Sequence, residues 1–206
     1  MVVIADVSRK GIAAALLMAN LQAILRTLAL AGQSPQQLAS SIHTHLVRHS
    51  EPGRYVTAFI GLLHLRSQSL VYVNAGHEPP LLFQPGGPRL RLQSGGPPLG
   101  LIPQSTFEQR DVALSNGSTL VLYTDGITER TNRRGEFYGI ERFADSLGKA
   151  SVASASRLAQ QLLLDCDQFA DGNPAPDDLT LMVLRITSST DASAAARDDR
   201  VLTTQT

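Results

Sequence analysis

From Tyr55 to Tyr123 the chain is a succession of short β-rich runs, each closed by a turn signal, and this stretch excludes most folds. Tyr55 to Leu65 and Leu70 to Val73 are separated by Arg66-Ser67-Gln68-Ser69, which predicts a hairpin. Pro79-Pro80, Pro85-Gly86-Gly87-Pro88 and Gly95-Gly96-Pro97-Pro98 then punctuate short strands at Leu81 to Phe83 and Leu90 to Leu92. Asn116-Gly117, between Val112 to Leu114 and Thr119 to Tyr123, is the strongest short-range hairpin signal in the chain. Parallel strands need long crossover connections, and these spacings leave no room for them.

Helical patterns lie on either side of this stretch. Ile12 begins a helix that ends at Gly32, and Ser34-Pro35-Gln36-Gln37 offers an N-cap, a first-turn proline and a capping-box glutamine for a second, with Leu38, Ile42 and Leu46 on its apolar side. Further helices are predicted near Ile140 to Leu147 and from Ala153, where Leu158, Leu162, Cys166 and Phe169 share one face. Leu179 to Ile186 is apolar on both faces, as a central strand would be. The expected class is α+β: an antiparallel β-sandwich flanked by α-helices in α-β-β-α layers. The chain opens inside an apparent strand, Val2 to Ala5, so preceding strands are expected to be missing. The expected domain runs over residues 1–186, and residues 187–206, rich in Ser, Thr, Ala and Asp without periodicity, are expected to form a disordered tail.

Composition narrows the function classes. Apolar residues make up 43% of the 206, enough for a real core, and 18 basic residues balance 18 acidic ones, so no global field draws nucleic acid or anionic membrane. The apolar stretch Ile12 to Leu30 is interrupted by Asn20, Gln22 and Arg26 and is read as a buried helix rather than a membrane span. Cys166 is the single cysteine, which excludes an internal disulfide and makes a reducing, cytoplasmic setting the expectation. Its helical apolar context reads as a small buried side chain rather than a nucleophile.

Three acidic positions share a local grammar. Asp6 follows Val2 to Ala5, Asp125 follows Leu120 to Thr124, and Asp177 precedes Leu179 to Leu184, so each lies at the edge of a strand beside a turn. Rigid carboxylates at strand ends suit hard divalent cations, which take oxygen ligands and can activate water against a phosphoester. Singly, each has a plainer reading: Asp125-Gly126 as a turn, Asp177-Asp178 as a solvated loop, Asp6 as a helix cap. His45 and His49, four apart, have a spacing zinc uses but no third ligand, and are read as exposed polar residues. Gly95-Gly96-Pro97-Pro98 lacks the lysine and following helix of a phosphate loop.

The residues around the aspartates resemble a known family. Asp6-Val7-Ser8-Arg9-Lys10-Gly11 with Ala13 to Ala19 is similar to a motif of bacterial serine/threonine phosphatases of the SpoIIE type, a branch of the metal-dependent PPM (protein phosphatase type 2C) family. Thr57-Ala58, Asn74-Ala75-Gly76-His77-Glu78-Pro79-Pro80, Pro98-Leu99-Gly100, Tyr123-Thr124-Asp125-Gly126-Ile127-Thr128-Glu129 and Asp177-Asp178-Leu179-Thr180 resemble further landmarks in the expected order, from Val2 to Ile186.

The resemblance implies a protein phosphatase using two Mn²⁺ or Mg²⁺ ions, with Asp6, Asp125 and Asp177 as catalytic metal ligands, the Val7 carbonyl completing one ion, and Asp178 as an alternate or supporting ligand. A metal-activated water would attack the phosphorus of a phosphoserine or phosphothreonine, leaving Cys166 without a catalytic role. Arg9, Lys10 and His77 are the expected substrate contacts, with a structural hydrogen-bonding role for His77 equally open. The implied partner is a phosphorylated anti-sigma-factor-antagonist type of protein; neither nucleic acid nor membrane is expected for this domain, and a homodimer is left open. Two departures stand out: relatives usually show glycine where Arg9 stands, and a Gly-Asp motif serving the second metal is expected upstream of Met1. A non-catalytic interaction domain in the same signalling class is the alternative; a metal-dependent nuclease fits less well, because the sequence has no basic, aromatic-lined groove.

Overall fold

The structure, a computed structural model, describes residues 1–51, 53–149, 154–175, 177–187 and 203–205. They fall into two compact units, Met1–Pro79 with Leu92–Leu114, and Pro80–Arg91 with Ser115–Thr206.

In the first unit, strands β1 (Val2–Val7), β2 (Val56–His64), β3 (Ser69–Ala75) and β6 (Arg110–Ala113) form a sheet in the order β1-β2-β3-β6, every pairing antiparallel. The period-two pattern divides its faces. Val3, Ala5, Val56, Ala58, Ile60, Val73 and Ala75 pack with Leu21 of helix α1 (Ile12–Leu30) and with Leu38, Ile42 and Leu46 of α2 (Pro35–His49). Register places Asp6 opposite Thr57 and Phe59 opposite Asn74 on the other face. Helix α2 starts as its sequence dictates: Ser34 Oγ accepts the Gln37 N–H and the Gln37 side chain accepts the Ser34 N–H, a complete capping box behind Pro35.

Helix α1 departs from the buried helix expected. Leu17, Met18, Ile24, Leu25 and Leu28 line one stripe against the core, yet only Ala14 and Leu21 are buried, while Ile12 and Leu30 are 83% and 91% exposed. Alanine raises apolar content without giving it a direction, so composition suggested a burial that only one face achieves. By length and apolar character alone this helix could cross a membrane.

In the second unit the sheet order is β5-β4-β7-β8-β9, from β4 (Leu81–Phe83), β5 (Arg89–Arg91), β7 (Thr119–Tyr123), β8 (Leu179–Arg185) and β9 (Thr203–Gln205). All pairings are again antiparallel. Helices α4 (Gly139–Lys149) and α5 (Ala155–Ala170) cover one face, where Phe143, Leu158, Leu162 and Cys166 meet Val121, Tyr123 and Leu181. The short α3 (Asp125–Thr128) follows β7 directly.

The Asn116-Gly117 hairpin is corrected by the pairing. Gly117 does turn the chain, at φ +85°, but β6 pairs with β3 whereas β7 pairs with β4 and β8. The Gly117 N–H is taken by the Ile186 carbonyl at 2.7 Å rather than by a partner strand across the turn. Most of the expected tail, like Ala153 at the start of the last predicted helix, lies outside the described residues; within the tail Thr203–Gln205 pairs with Leu179–Leu181, a strand its composition did not announce.

Candidate active site

Asp6 is the penultimate residue of β1 and is exposed, on the face away from the helices. Val7 turns its side chain to the helix-side core, so only its main chain is available as a ligand. The chain then enters a tight loop pinned at Ser8, whose N–H donates to the Tyr55 carbonyl at 3.0 Å and whose Oγ accepts the Tyr55 N–H at 2.9 Å. Arg9 follows with φ +69°, a left-handed conformation that side chains other than glycine adopt at a cost, and Gly11 at φ +99° leads into α1. Arg9 and Lys10 are both exposed. The Arg9 guanidinium reaches toward Gly53, and its charge helps Arg54 hold the Glu51 carboxyl below its ordinary pKa, the larger part coming from the Arg54 hydrogen bond.

The motifs that flank Asp6 in sequence order turn out to be its scaffold. His77 Nδ1 lies 3.0 Å from Thr57 Oγ1, the cross-strand neighbour of Asp6, and the His77 N–H donates to Asn74 Oδ1 at 2.8 Å. Asn74, fully buried, also donates from Nδ2 to the Leu92 carbonyl. Gly76 at φ +68° has Pro98 against it, and a Cβ there would stand 2.6 Å from the proline ring. Leu99 exchanges both main-chain hydrogen bonds with Val56. His77 is 5% exposed, so in this unit its side chain orients Thr57.

His43 was not singled out in the sequence. It is buried on α2; its Nδ1 accepts the Gly100 N–H at 3.0 Å and its Nε2 donates to the Pro103 carbonyl at 3.3 Å, fixing the loop after Leu99. No periodic signal marked it: on a helix of 3.6 residues per turn His49 falls nearer the Leu38-Ile42-Leu46 stripe than His43 does, yet His43 is buried and His49 exposed. The rings of His45 and His49 lie with centroids 4.7 Å apart, tilted by 42°, with the Asn20 amide beside His45.

In the second unit, the register Tyr123↔Leu181 brings the end of β7 and the start of β8 together. Thr124 fastens the junction three ways: its N–H donates to the Thr180 carbonyl, its Oγ1 donates to the Asp178 carbonyl, and the same oxygen accepts the Thr180 N–H. Asp125 and the pair Asp177-Asp178 therefore share one end of this sheet. Asp125 opens α3, where its carbonyl accepts the Glu129 N–H and the Thr128 hydroxyl. Asp177 Oδ1 accepts the Asp178 N–H at 2.8 Å, a local bond that fixes its carboxylate relative to the main chain. Gly126 packs on the Asp178 carbonyl so closely that a Cβ would collide with it. Cys166 is buried, its Sγ 3.9 Å from the Ile127 carbonyl, and desolvation pushes its thiol up to about 11, as an inert core residue requires.

These groups are carboxylate and carbonyl oxygens, the donor chemistry that suits Mg²⁺ or Mn²⁺. Among the described residues, no set of three or more Asp, Glu, His or Cys side chains is gathered as a ready metal cage. The expected aspartates are thus divided, Asp6 in the first unit and Asp125, Asp177 and Asp178 in the second.

Comparison with known proteins gives these features a context. The family described as Stage II sporulation protein E (SpoIIE) matches residues 1–187. The phosphoserine phosphatase RsbU of Bacillus subtilis is 27% identical over 187 residues, covering 89% of this chain and 55% of RsbU. The crystal structure of the RsbU and RsbW domains of Rv1364c from Mycobacterium tuberculosis superposes with a TM-score of 0.75 at 28% identity, over 91% of this chain and 53% of that one. RsbX in complex with magnesium matches in fold, with a TM-score of 0.66 at 16% identity over 88% of this chain and 78% of that one. The chain spans 55% or less of the length of the curated relatives it matches.

Proposed function

Because this chain belongs to the SpoIIE family of PP2C-type serine/threonine phosphatases, we propose that it hydrolyses phosphoserine or phosphothreonine on a small regulatory protein of the anti-sigma-factor-antagonist type. The naming of RsbU as a phosphoserine phosphatase supports the reaction class, and the pairing of RsbU and RsbW domains in Rv1364c supports a place in partner switching. The observation that carries the reading is the junction of β7 and β8, where strand register, Thr124 and the missing side chain of Gly126 keep the main chain at Asp125 beside that of Asp177-Asp178.

Asp6, Asp125 and Asp177 are the ligands proposed for Mn²⁺ or Mg²⁺, with Asp178 and the Val7 carbonyl in support; magnesium in RsbX favours this choice. When bound, the ions supply an activated water and offset the charge of the phosphoryl oxygens. The chain's own residues then have separate duties. Arg9 and Lys10, exposed on the loop after Asp6, offer cations to the substrate phosphate. Thr57, held by His77, steadies the strand opposite Asp6. A cytoplasmic setting belongs to the same proposal.

A second reading, a domain that binds the regulator without hydrolysing it, draws on the absence of a three-carboxylate cage among the described residues. Calorimetric titration with Mn²⁺ separates the two. Two coupled binding events, lost in Asp125→Asn, support the enzyme; one weak event or none, with no phosphate released from a phosphoserine protein, supports the binding domain.

A further inference from the structure

At the opposite end of the second unit's sheet from Asp125, four residues form a row across four strands. Arg89 pairs with Phe83, Phe83 with Thr119, and Thr119 with Arg185, each in register. Cross-strand partners point to the same face, here the face that carries α4 and α5, since Val121 and Val183 beside the row pack against those helices. The helical layer ends above the row, where Leu147 and Gly148 close α4 and Leu158 lies in α5. The result is a cavity of about 280 Å³. Within this unit it is remote from Asp125: six residues of extended chain separate Thr119 from that aspartate, about 20 Å.

The chemistry of this cavity is specific. Arg89 and Arg185 line it from the two outer strands of the row, their Cα atoms about 14 Å apart across three strand spacings, a separation within the combined reach of two arginine side chains. Between them lie the Phe83 ring, the Thr119 hydroxyl and the apolar side chains of Leu147 and Leu158. No Asp or Glu is among the described residues that line it. Arg89 is held in place over Phe83, 5.5 Å from the ring centroid, and donates toward the Ala144 carbonyl and Asp145 at 3.4 and 3.5 Å. Its guanidinium lies against Gly148, where a Cβ would meet the movable end of the arginine side chain. The cation thus lies over the aromatic wall of the cavity, and its long ion pair with a largely exposed Asp145 is easily exchanged for a better anion.

We propose that this cavity is a binding site for a small organic anion, its anionic head taken by the guanidinium groups of Arg89 and Arg185 and its apolar body laid against Phe83, Leu147 and Leu158. The site is independent of the phosphatase reading, and the volume suits a ligand at the small end of the usual range.

The test is an amide NMR titration of the full chain with phenylphosphonate, which has no hydrolysable ester, in the presence of a chelator. The expected result is saturable shifts at Gly117, Thr119 and Gly148, weakened at least about tenfold in both Arg89→Gln and Arg185→Gln, and absent with benzyl alcohol. Both variants must retain a dispersed spectrum; Arg89 is exposed, so at least that one reports on binding rather than folding. No saturable shift at these amides, equal affinity in Arg89→Gln, or shifts confined to the Asp125 end would each overturn the proposal.

Discussion

Gly126 rests on the main-chain carbonyl of Asp178 with no space for a side chain between them. The contact ties the residue after one candidate ligand to the backbone of another, so the Asp125–Asp177 arrangement depends on a missing Cβ. Gly126→Ala is expected to destabilise the fold by about 1–3 kcal/mol through overpacking. Phosphatase activity should fall further than the lost stability explains. Urea unfolding and phosphate release on the same preparation check both; an unchanged midpoint would show that the β7–β8 junction is looser than described.

Asn74 is fully buried and bonded both to the His77 N–H and to the Leu92 carbonyl. Asn74→Ala leaves those groups without their partner, and a loss on the order of 2–4 kcal/mol is expected. Thr57→Val, which removes only the hydroxyl facing His77, should cost about 1 kcal/mol. Chemical denaturation of the two variants gives the ranking, and a Thr57→Val cost equal to that of Asn74→Ala would contradict it.

Arg9 adopts φ +69°, where glycine is at ease and arginine is not. Arg9→Gly is therefore expected to stabilise the chain by about 1 kcal/mol. If the guanidinium meets substrate phosphate as proposed, the same variant raises KM for a phosphoserine protein while leaving kcat nearly unchanged. A more stable variant with unaltered KM would remove Arg9 from substrate binding and leave the loop strain unexplained.

The buried Cys166 thiol is raised from 9.0 to about 11 by desolvation. The unfolded chain loses this proton at a lower pH than the folded one, so the contribution to stability is intact below about pH 9 and is lost as pH rises toward 11. Burial raises Tyr72 and Tyr138 in the same direction. Urea midpoints should therefore fall from about pH 8 to about pH 10.5, with a shallower fall in Cys166→Ala. Identical slopes in the two proteins would contradict the burial of this thiol.

What could be read from the sequence was local. The Ser34–Gln37 capping box, the hairpin of β2 and β3 and the apolar stripe of α5 depend on neighbours within a few residues, and each formed as expected. Asp125 and Asp177 could be singled out because strand ends and adjoining turns are visible in one dimension. Long-range choices were hidden. Asn116-Gly117 specifies a turn but not which sheet receives each strand, and the alanines of α1 raise its apolar content without supplying anything to cover the second face. The Asn74–His77–Thr57 network joins residues up to twenty apart, so the sequence offered the motif without its purpose.

The most direct measurement is Mn²⁺-dependent release of inorganic phosphate from a phosphoserine protein, comparing the chain with Asp6→Asn and Asp125→Asn. The account predicts release by the unaltered chain that requires Mn²⁺ or Mg²⁺ and falls by at least about a hundredfold in each variant. Release that persists in both variants, or none from the unaltered chain with either metal, would contradict it.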